Sequence, residues 1–424
     1  MTAVSRLQTI SSRYHIPLLV AYLYVFFNVF LLPNGLYYTM LLAPLFFYNS
    51  LRQKLLQPYI CFIVMAGIYA CFHAGLELSM VDYLRSNLLI LLNICFLVNC
   101  YLYFKQAAEE EINGLFRKVI YFNFVLVLIA GIAFFIPSLK PAFWYLISLT
   151  EGSGIIPRLK LLHSEASTYS LVLSPFFLYF FFYSLLQRRR FSWSFLLLIL
   201  LPLGLSFSMG VCGGLLLAVF LSLVCYRKVF FSTALFIRLS VLFFLLLTGV
   251  FIWYQLDPGN VVFLRLHNIV AGKDTSAKGR TFEAFHLARM VLTQYDHWWT
   301  GIGPGQFKII GKYILLTYYQ YGDMADIRVP NACADTLIVY GLSGLILRLL
   351  LQVFLFFRTR VYSNVFRFSL FCFLFIYQFT GSYFNNLLEW TLWVLVFSGG
   401  FLFFDYQRLR QADDAIATGA DRVL

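Results

Sequence analysis

Apolar runs of about twenty residues, separated by short polar turns, recur along this chain. At about 17–25 apolar residues per membrane crossing, they predict helices near Ile16–Leu32, Leu36–Asn49, Tyr59–Phe72, Asn87–Phe104 and Val119–Ile136. More are expected near Ala166–Leu186, Ser192–Leu205, Val211–Tyr226, Leu235–Tyr254, Ala332–Phe357, Val365–Thr380 and Leu388–Phe404. The stretch Phe191–Tyr226 must hold two helices, because about 36 residues at ~1.5 Å each far exceed one ~30 Å hydrocarbon core. Ser206–Gly210 supplies the turn between them.

Composition agrees with the pattern. The 424 residues are 61% hydrophobic and 12% charged, with a mean hydropathy of +0.79. A water-soluble fold cannot hide that much apolar surface. The expected fold is therefore all-α: a polytopic membrane bundle of about twelve transmembrane helices, with residues 1–424 forming one integral membrane domain.

Charge sets the expected orientation. Arg52/Lys54, Lys105/Arg117/Lys118, Arg188–Arg190, Arg227/Lys228/Arg238, Arg358/Arg360/Arg367 and Arg408/Arg410 occupy one set of loops. The short loops around Asn34, Ser208 and Tyr383 carry no Lys or Arg. Positively charged loops stay in the cytoplasm, which places both termini there, including the tail at 405–424. Arg6 and Arg13 precede the first apolar run and no small-residue cleavage site follows it, so that run reads as an uncleaved first span. The net charge of +13 lies mostly in these short loops, and nucleic acid is not an expected partner. The eight cysteines fall within or beside apolar segments with no CxxC pair, as small buried hydrophobes do.

Two segments on the opposite side are longer: 138–165 and 255–331. Loops of that length are uncommon unless functional. Arg280, His286, Arg289, His297, Lys308, Lys312 and Arg328 gather in the second, and Arg158, Lys160 and Arg265 add cations on the same side. Such one-sided charge implies an anionic ligand or a need to repel cations. Arg280, Glu283, His286 and Arg289 follow at steps of three, a spacing that shares one helix face. The planar Arg fork suits a phosphate or diphosphate; a solvated, salt-bridged interfacial helix would show the same spacing.

The run Pro157–Ser170 leads from the first segment into a span, and His163, Ser167, Ser170 and Ser174 give that helix one polar face. Glu165 stands at the membrane boundary, where a carboxylate is costly unless paired or functional. It is placed to act as a base or as a helix N-terminal acid favoured by the macrodipole. His163 reads as an interfacial residue. Gly301-Ile-Gly-Pro-Gly305 lacks the GK[ST] ending of a P-loop; it is a tight turn or a backbone-amide cradle using Gly303 and Gly305. HExxH, GxSxG and EF-hand patterns are absent, so no metal site and no cofactor is expected. Glu77, Asp82 and Glu389 fall on the same side without an assigned role. Arg348, the charge nearest the membrane interior, is expected to snorkel to the cytoplasmic edge.

An Arg-containing segment entering a span, a large loop with R…W/F…A…G-x-G-x-G-x-F, and an Asn followed by a Gly-x-x-Gly helix together resemble the O-antigen ligase/polymerase superfamily. Here those pieces are Arg158–Ser167, Arg280–Phe307 and Asn331–Gly344. The resemblance implies a GT-C-like membrane glycosyltransferase acting on undecaprenyl-diphosphate-linked oligosaccharides at the periplasmic face of the bacterial inner membrane. A chain-length regulator, a flippase and membrane lipids are its implied partners. It also implies catalytic roles for Glu165, Arg158, Arg280, His286 and Arg289, and substrate contacts from His163, Lys160, Arg265, Arg328, Asn331, Gly303 and Gly305. Ligases carry a His just before the position of Asn331, where this chain has Pro330. The His-Ser-Glu-Ala-Ser run is more similar to an element of repeat-unit polymerases, so polymerase is the expected activity and ligase the alternative. A lipid-linked oligosaccharide flippase is a third reading; it would favour mid-membrane charges and related halves, which the sequence does not display.

Overall fold

The computed structural model describes residues 31–32, 36–76, 79–146, 156–186, 193–230, 241, 244–245, 248–249, 251–319 and 329–417. Helices dominate. In chain order those of six residues or more are α1 (Ala43–Arg52), α2 (Gln57–His73), α3 (Met80–Gln106), α4 (Glu109–Ala133), α5 (Ala166–Leu186), α6 (Trp193–Ser206) and α7 (Met209–Cys225). There follow α8 (Val261–Val270), α9 (Thr275–Arg280), α10 (Phe282–Tyr295), α11 (Phe307–Tyr319), α12 (Ala332–Arg358), α13 (Val365–Tyr377), α14 (Leu387–Phe397) and α15 (Tyr406–Ala417). Two short antiparallel ribbons accompany them: β1 (Leu31–Leu32) with β2 (Leu36–Tyr37), and β3 (Trp144–Tyr145) with β4 (Arg158–Leu159).

Local chemistry sets many of the helix starts. Ser79, Asn331, Asn364 and Asn386 each accept a backbone N–H of the following turn through a side-chain oxygen, satisfying donors that a helix start leaves open. Glu109, Glu110 and Glu111 open α4, where negative charge meets the positive end of the helix dipole.

The protein is an all-α membrane protein. Among the described residues α3, α4, α5 and α12 are each long and apolar enough to cross a bilayer. The residues Met40–Arg52 and Gln57–His73, bent by 114°, have the length and apolarity of one further broken span. The run Leu36–Asn49, expected as a span, begins as a ribbon and a 3-10 turn, and its later part forms most of α1 in this bent pair. The expected first span lies outside the described residues except for its last two, and so does most of Leu235–Tyr254. The final apolar run stops as a helix at Phe397.

α5 is the central helix, with 67% of its apolar window buried against 33–39% for the other three long spans. Its Tyr169, Leu173, Phe176, Tyr179 and Phe182 pack among α4, α7, α13 and α14 in the main core. Leu88, Ile129, Phe220 and Phe354 instead point outward, as lipid-facing side chains do. A second core joins α10, α11 and the start of α12 through Leu287, Val291, Ile302, Phe307 and Ile338.

α12 is broken at Gly341, whose φ of 67° and ψ of −166° are non-helical. The segment Trp298–Gly303 fills the break. Ile302 N and Gly303 N donate to Ile338 O and Val339 O at 2.9 and 3.0 Å, while Leu342 N and Ser343 N donate to Trp298 O and Trp299 O at 2.8 and 3.2 Å. Backbone groups freed in a membrane helix must find such partners. A side chain at Gly301 would strike the main chain of Val339, and one at Gly341 that of Trp299. The two glycines let the backbones touch.

Candidate functional site

The first polar segment is organised by the ribbon β3–β4, which sets Tyr145 opposite Arg158. Lys160 N donates to Phe143 O at 2.9 Å across the ribbon, and Trp144 Nε1 donates to Ala130 O at 2.8 Å, fixing the ribbon on the end of α4. Opposed residues share a face of a ribbon, and the Arg158 guanidinium lies 4.9 Å from the Tyr145 ring centroid. Tyr145 was missed by the sequence reading. Its one signal was the aromatic run Phe143–Tyr145.

Glu165 immediately precedes α5. Its Oε2 lies 3.5 Å from the Arg280 guanidinium and accepts Ser167 Oγ–H at 2.9 Å. The Arg280 and Glu165 side chains are 31% and 38% exposed, so a ligand can reach them. Arg280 is itself held from behind, because its main-chain oxygen accepts Asn331 Nδ2–H at 2.8 Å. Asn331 Nδ2 also donates to Phe379 O at 2.7 Å, and its Oδ1 accepts Ala334 N–H at 2.9 Å. Asn331 is fully buried, which makes it a clamp on the Arg280 backbone.

Arg265, on α8, pairs with Asp274 at 3.1 Å, and Asp274 also caps α9 through Ala277 N–H at 2.7 Å. Arg158 feels the charges of Arg265, Glu165 and Arg280 together, so the two polar segments meet here. Burial first, and then the neighbouring Arg265 charge, hold Arg158 below the usual guanidinium range. Burial raises the Tyr145 phenol, with Glu165 adding to the rise and Arg158 and Arg280 opposing it. Arg158 Nε and one Arg265 terminal nitrogen, Nη1, are buried without a hydrogen-bond partner. Buried donors of this kind are rare and costly. Three guanidinium groups face two carboxylates, an excess of positive charge suited to a bidentate oxyanion.

The remaining candidates are placed differently. Lys160 is partly buried, and burial lowers its ammonium. His163 is 4% exposed, leans on the Tyr169 ring at 5.5 Å and is pushed down to about 3 by burial. It is neutral near pH 7 and packs in the core. The expected single helix through Arg280, Glu283, His286 and Arg289 is corrected. α9 ends at Arg280, and α10 starts at Phe282 after the non-helical Thr281. Asp274 supplies the cap that starts α9. His286 and Arg289 are exposed on the side of α10 opposite Ala284, Leu287, Ala288 and Val291, which are buried. Gly303 lies against His73 and Tyr83, and Gly305 against Ser86 and Asp82. The Gly303 amide is engaged by Val339 O, so this run is a packed turn. Arg328 lies outside the described residues.

Arg348 does not snorkel. Its side chain donates to Glu389 Oε1 at 2.6 Å, Gln378 Oε1 at 3.0 Å and Thr336 Oγ1 at 3.1 Å. Glu389, without a role in the sequence reading, is 1% exposed and also accepts Trp393 Nε1–H at 3.2 Å. Twelve residues of straight helix would put Thr336 about 18 Å from Arg348; the break at Gly341 is what brings them together.

Compared with known proteins, the chain matches no family model and no curated sequence.

Proposed function

We propose that this chain is a GT-C-like membrane glycosyltransferase of about twelve spans that lengthens undecaprenyl-diphosphate-linked glycans at the periplasmic face of a bacterial inner membrane, both termini being cytoplasmic. The reading rests on the buried, unpartnered donors of Arg158 and Arg265 beside the accessible Arg280–Glu165 pair. A diphosphate supplies the acceptors those donors lack, and its charge opposes their crowding. In the reaction, an acceptor sugar hydroxyl oxygen bonds to the anomeric carbon of the donor. The bond from that carbon to the diphosphate breaks, its electron pair leaving with the lipid diphosphate, and the hydroxyl proton passes to Glu165. Arginines aimed at the leaving diphosphate stabilise the charge that develops there.

Polymerase is favoured over ligase because Pro330 offers neither a titratable side chain nor a backbone N–H where the ligase pattern has an imidazole. The test is complementation of two deletion strains, one lacking its polymerase and one its ligase, each supplied with matching repeat units. Longer glycan ladders in the first strain are expected. Core attachment restored in the second, with no lengthening in the first, would overturn the assignment.

Two further outcomes are expected of the purified protein. Glu165→Gln is to lose about 10²-fold or more in elongation and Glu165→Asp less, since a base needs its carboxylate more than its length. A Gln variant as active as wild type would return Glu165 to structural service at the start of α5. Elongation is also expected to persist in EDTA, because three arginines supply the neutralising charge. Complete loss restored by magnesium or manganese would contradict this.

A further inference from the structure

Charged groups in membrane helices are costly and mark function more often than support. Arg348 and Glu389 form such a pair, 12% and 1% exposed. Glu389 Oε2 is buried with no hydrogen-bond partner, which costs further stability. A pair kept only to bind helices together would be replaced at little loss by apolar packing.

Its contacts lead to the site. The Arg348 guanidinium joins both halves of the broken α12 to Gln378, at the end of α13, and to Glu389, in the first turn of α14. Gln352 and Gln378 exchange two amide hydrogen bonds of 3.0 Å and fix the Gln378 side chain. The turn that starts at Gln378 is bound to the start of α12: Cys333 N donates to Gln378 O and Ala332 N to Gly381 O, each at 3.2 Å. Within that turn Phe379 O accepts Asn331 Nδ2–H, and the same amide group holds the main chain of Arg280. An unbroken set of contacts thus runs from Arg348 through Gln378, the 378–381 turn and Asn331 to Arg280.

We infer that Arg348 and Glu389 are positioning residues that set Arg280 in the diphosphate site, an inference that rests on the reading of that site given above. Loosening the pair releases Gln378, then the turn, then the amide that holds Arg280. The guanidinium then drifts from Glu165 and from the bound diphosphate. Arg348 and Arg280 therefore contribute to one interaction, and their losses cannot multiply.

The experiment is a double-mutant cycle on the purified full-length protein with Arg280→Lys, Arg348→Lys and the double variant. It reads inorganic pyrophosphate affinity by calorimetry and elongation of lipid-linked oligosaccharide by KM and kcat. Each single change is expected to weaken pyrophosphate binding about tenfold, and the double variant no more than about threefold beyond the weaker single, as coupled sites behave. The KM for the lipid-linked substrate rises in every variant by about as much as pyrophosphate affinity falls, whatever the accompanying loss in kcat. A merely structural defect lowers the folded fraction, and so kcat, with KM unchanged. Glu389→Gln, which keeps shape and acceptor but removes charge, runs the same cycle if Arg348→Lys does not fold. Losses that multiply to about a hundredfold, or an Arg348 variant that binds as wild type does, would overturn the inference while leaving the glycosyltransferase intact. Coupled pyrophosphate binding without elongation would uphold the inference and discard the glycosyltransferase. Wild-type protein that neither binds nor elongates overturns both.

Discussion

Arg280→Ala is expected to abolish elongation, with a loss of about 10²–10³-fold, the range for deleting one preorganised donor to a developing charge. The variant should still insert and fold. Asn331 holds the Arg280 main-chain oxygen, not its guanidinium, so the local backbone keeps its clamp. Ser167 still donates to Glu165. What is lost is the charge facing Glu165 and the accessible end of the arginine cluster. Arg280→Lys should recover little, because a point charge cannot replace a bidentate fork. Arg289→Ala makes the contrast: that arginine is exposed on the outer side of α10, and its loss should cost less than about fivefold. Glycan ladders from membranes with matched expression check all three. Normal ladders from Arg280→Ala would remove the arginine cluster from the chemistry.

Gly341→Val should fail at an earlier stage, in folding. Its backbone lies in a region that essentially only glycine occupies, at a cost of ~1–3 kcal/mol for another residue. A side chain there also runs into the Trp299 main chain, and the four main-chain hydrogen bonds between Trp298–Gly303 and α12 would be strained or broken. Together these reach about 3 kcal/mol or more, a large share of the ~5–15 kcal/mol that holds a typical protein folded. The expected readout is a sharp fall in monodisperse protein after extraction and a thermal midpoint many degrees below wild type. Gly344→Ala should destabilise as well, without the positive-φ cost, since its added methyl would strike Tyr340 Cβ, which is fixed to the main chain. A Gly341→Val protein as stable as wild type would show that the break tolerates a side chain.

Much of the helical framework was legible because a bilayer enforces it. Twenty apolar residues in a row have one economical fate, so the run at Ala166–Leu186 was read to the residue, and the turn near Ser206–Gly210 within a position or two. The starts of α12, α13 and α14 are capped by Asn331, Asn364 and Asn386, a local start signal that hydropathy alone does not use. The arginines of two separate segments, and Glu165 between loop and span, were legible as a group because their charge is conspicuous against so apolar a chain. Helical phase around Arg280 was not legible: the spacing 280, 283, 286, 289 implied one helix, whereas the Asp274 cap and the bend at Thr281 divide it into two.

Periodicity and charge, which need no partner to be read, gave an all-α membrane protein with cations collected in two polar segments. Tertiary structure decided which of those cations meet. Arg158 joins Tyr145 across a two-residue ribbon, Arg265 is fixed by the acid that caps the next helix, and Arg280 is presented by a buried asparagine. It also turned Gly-x-x-Gly from a helix motif into a break, and so moved Arg348 from an expected place at the membrane edge to a buried carboxylate. The physical reason is common to all of these. A hydropathy pattern records what each residue does toward solvent, whereas a hydrogen bond or ion pair depends on a second residue whose distance along the chain, 51 for Asn331 and Arg280 or 41 for Arg348 and Glu389, leaves no local trace.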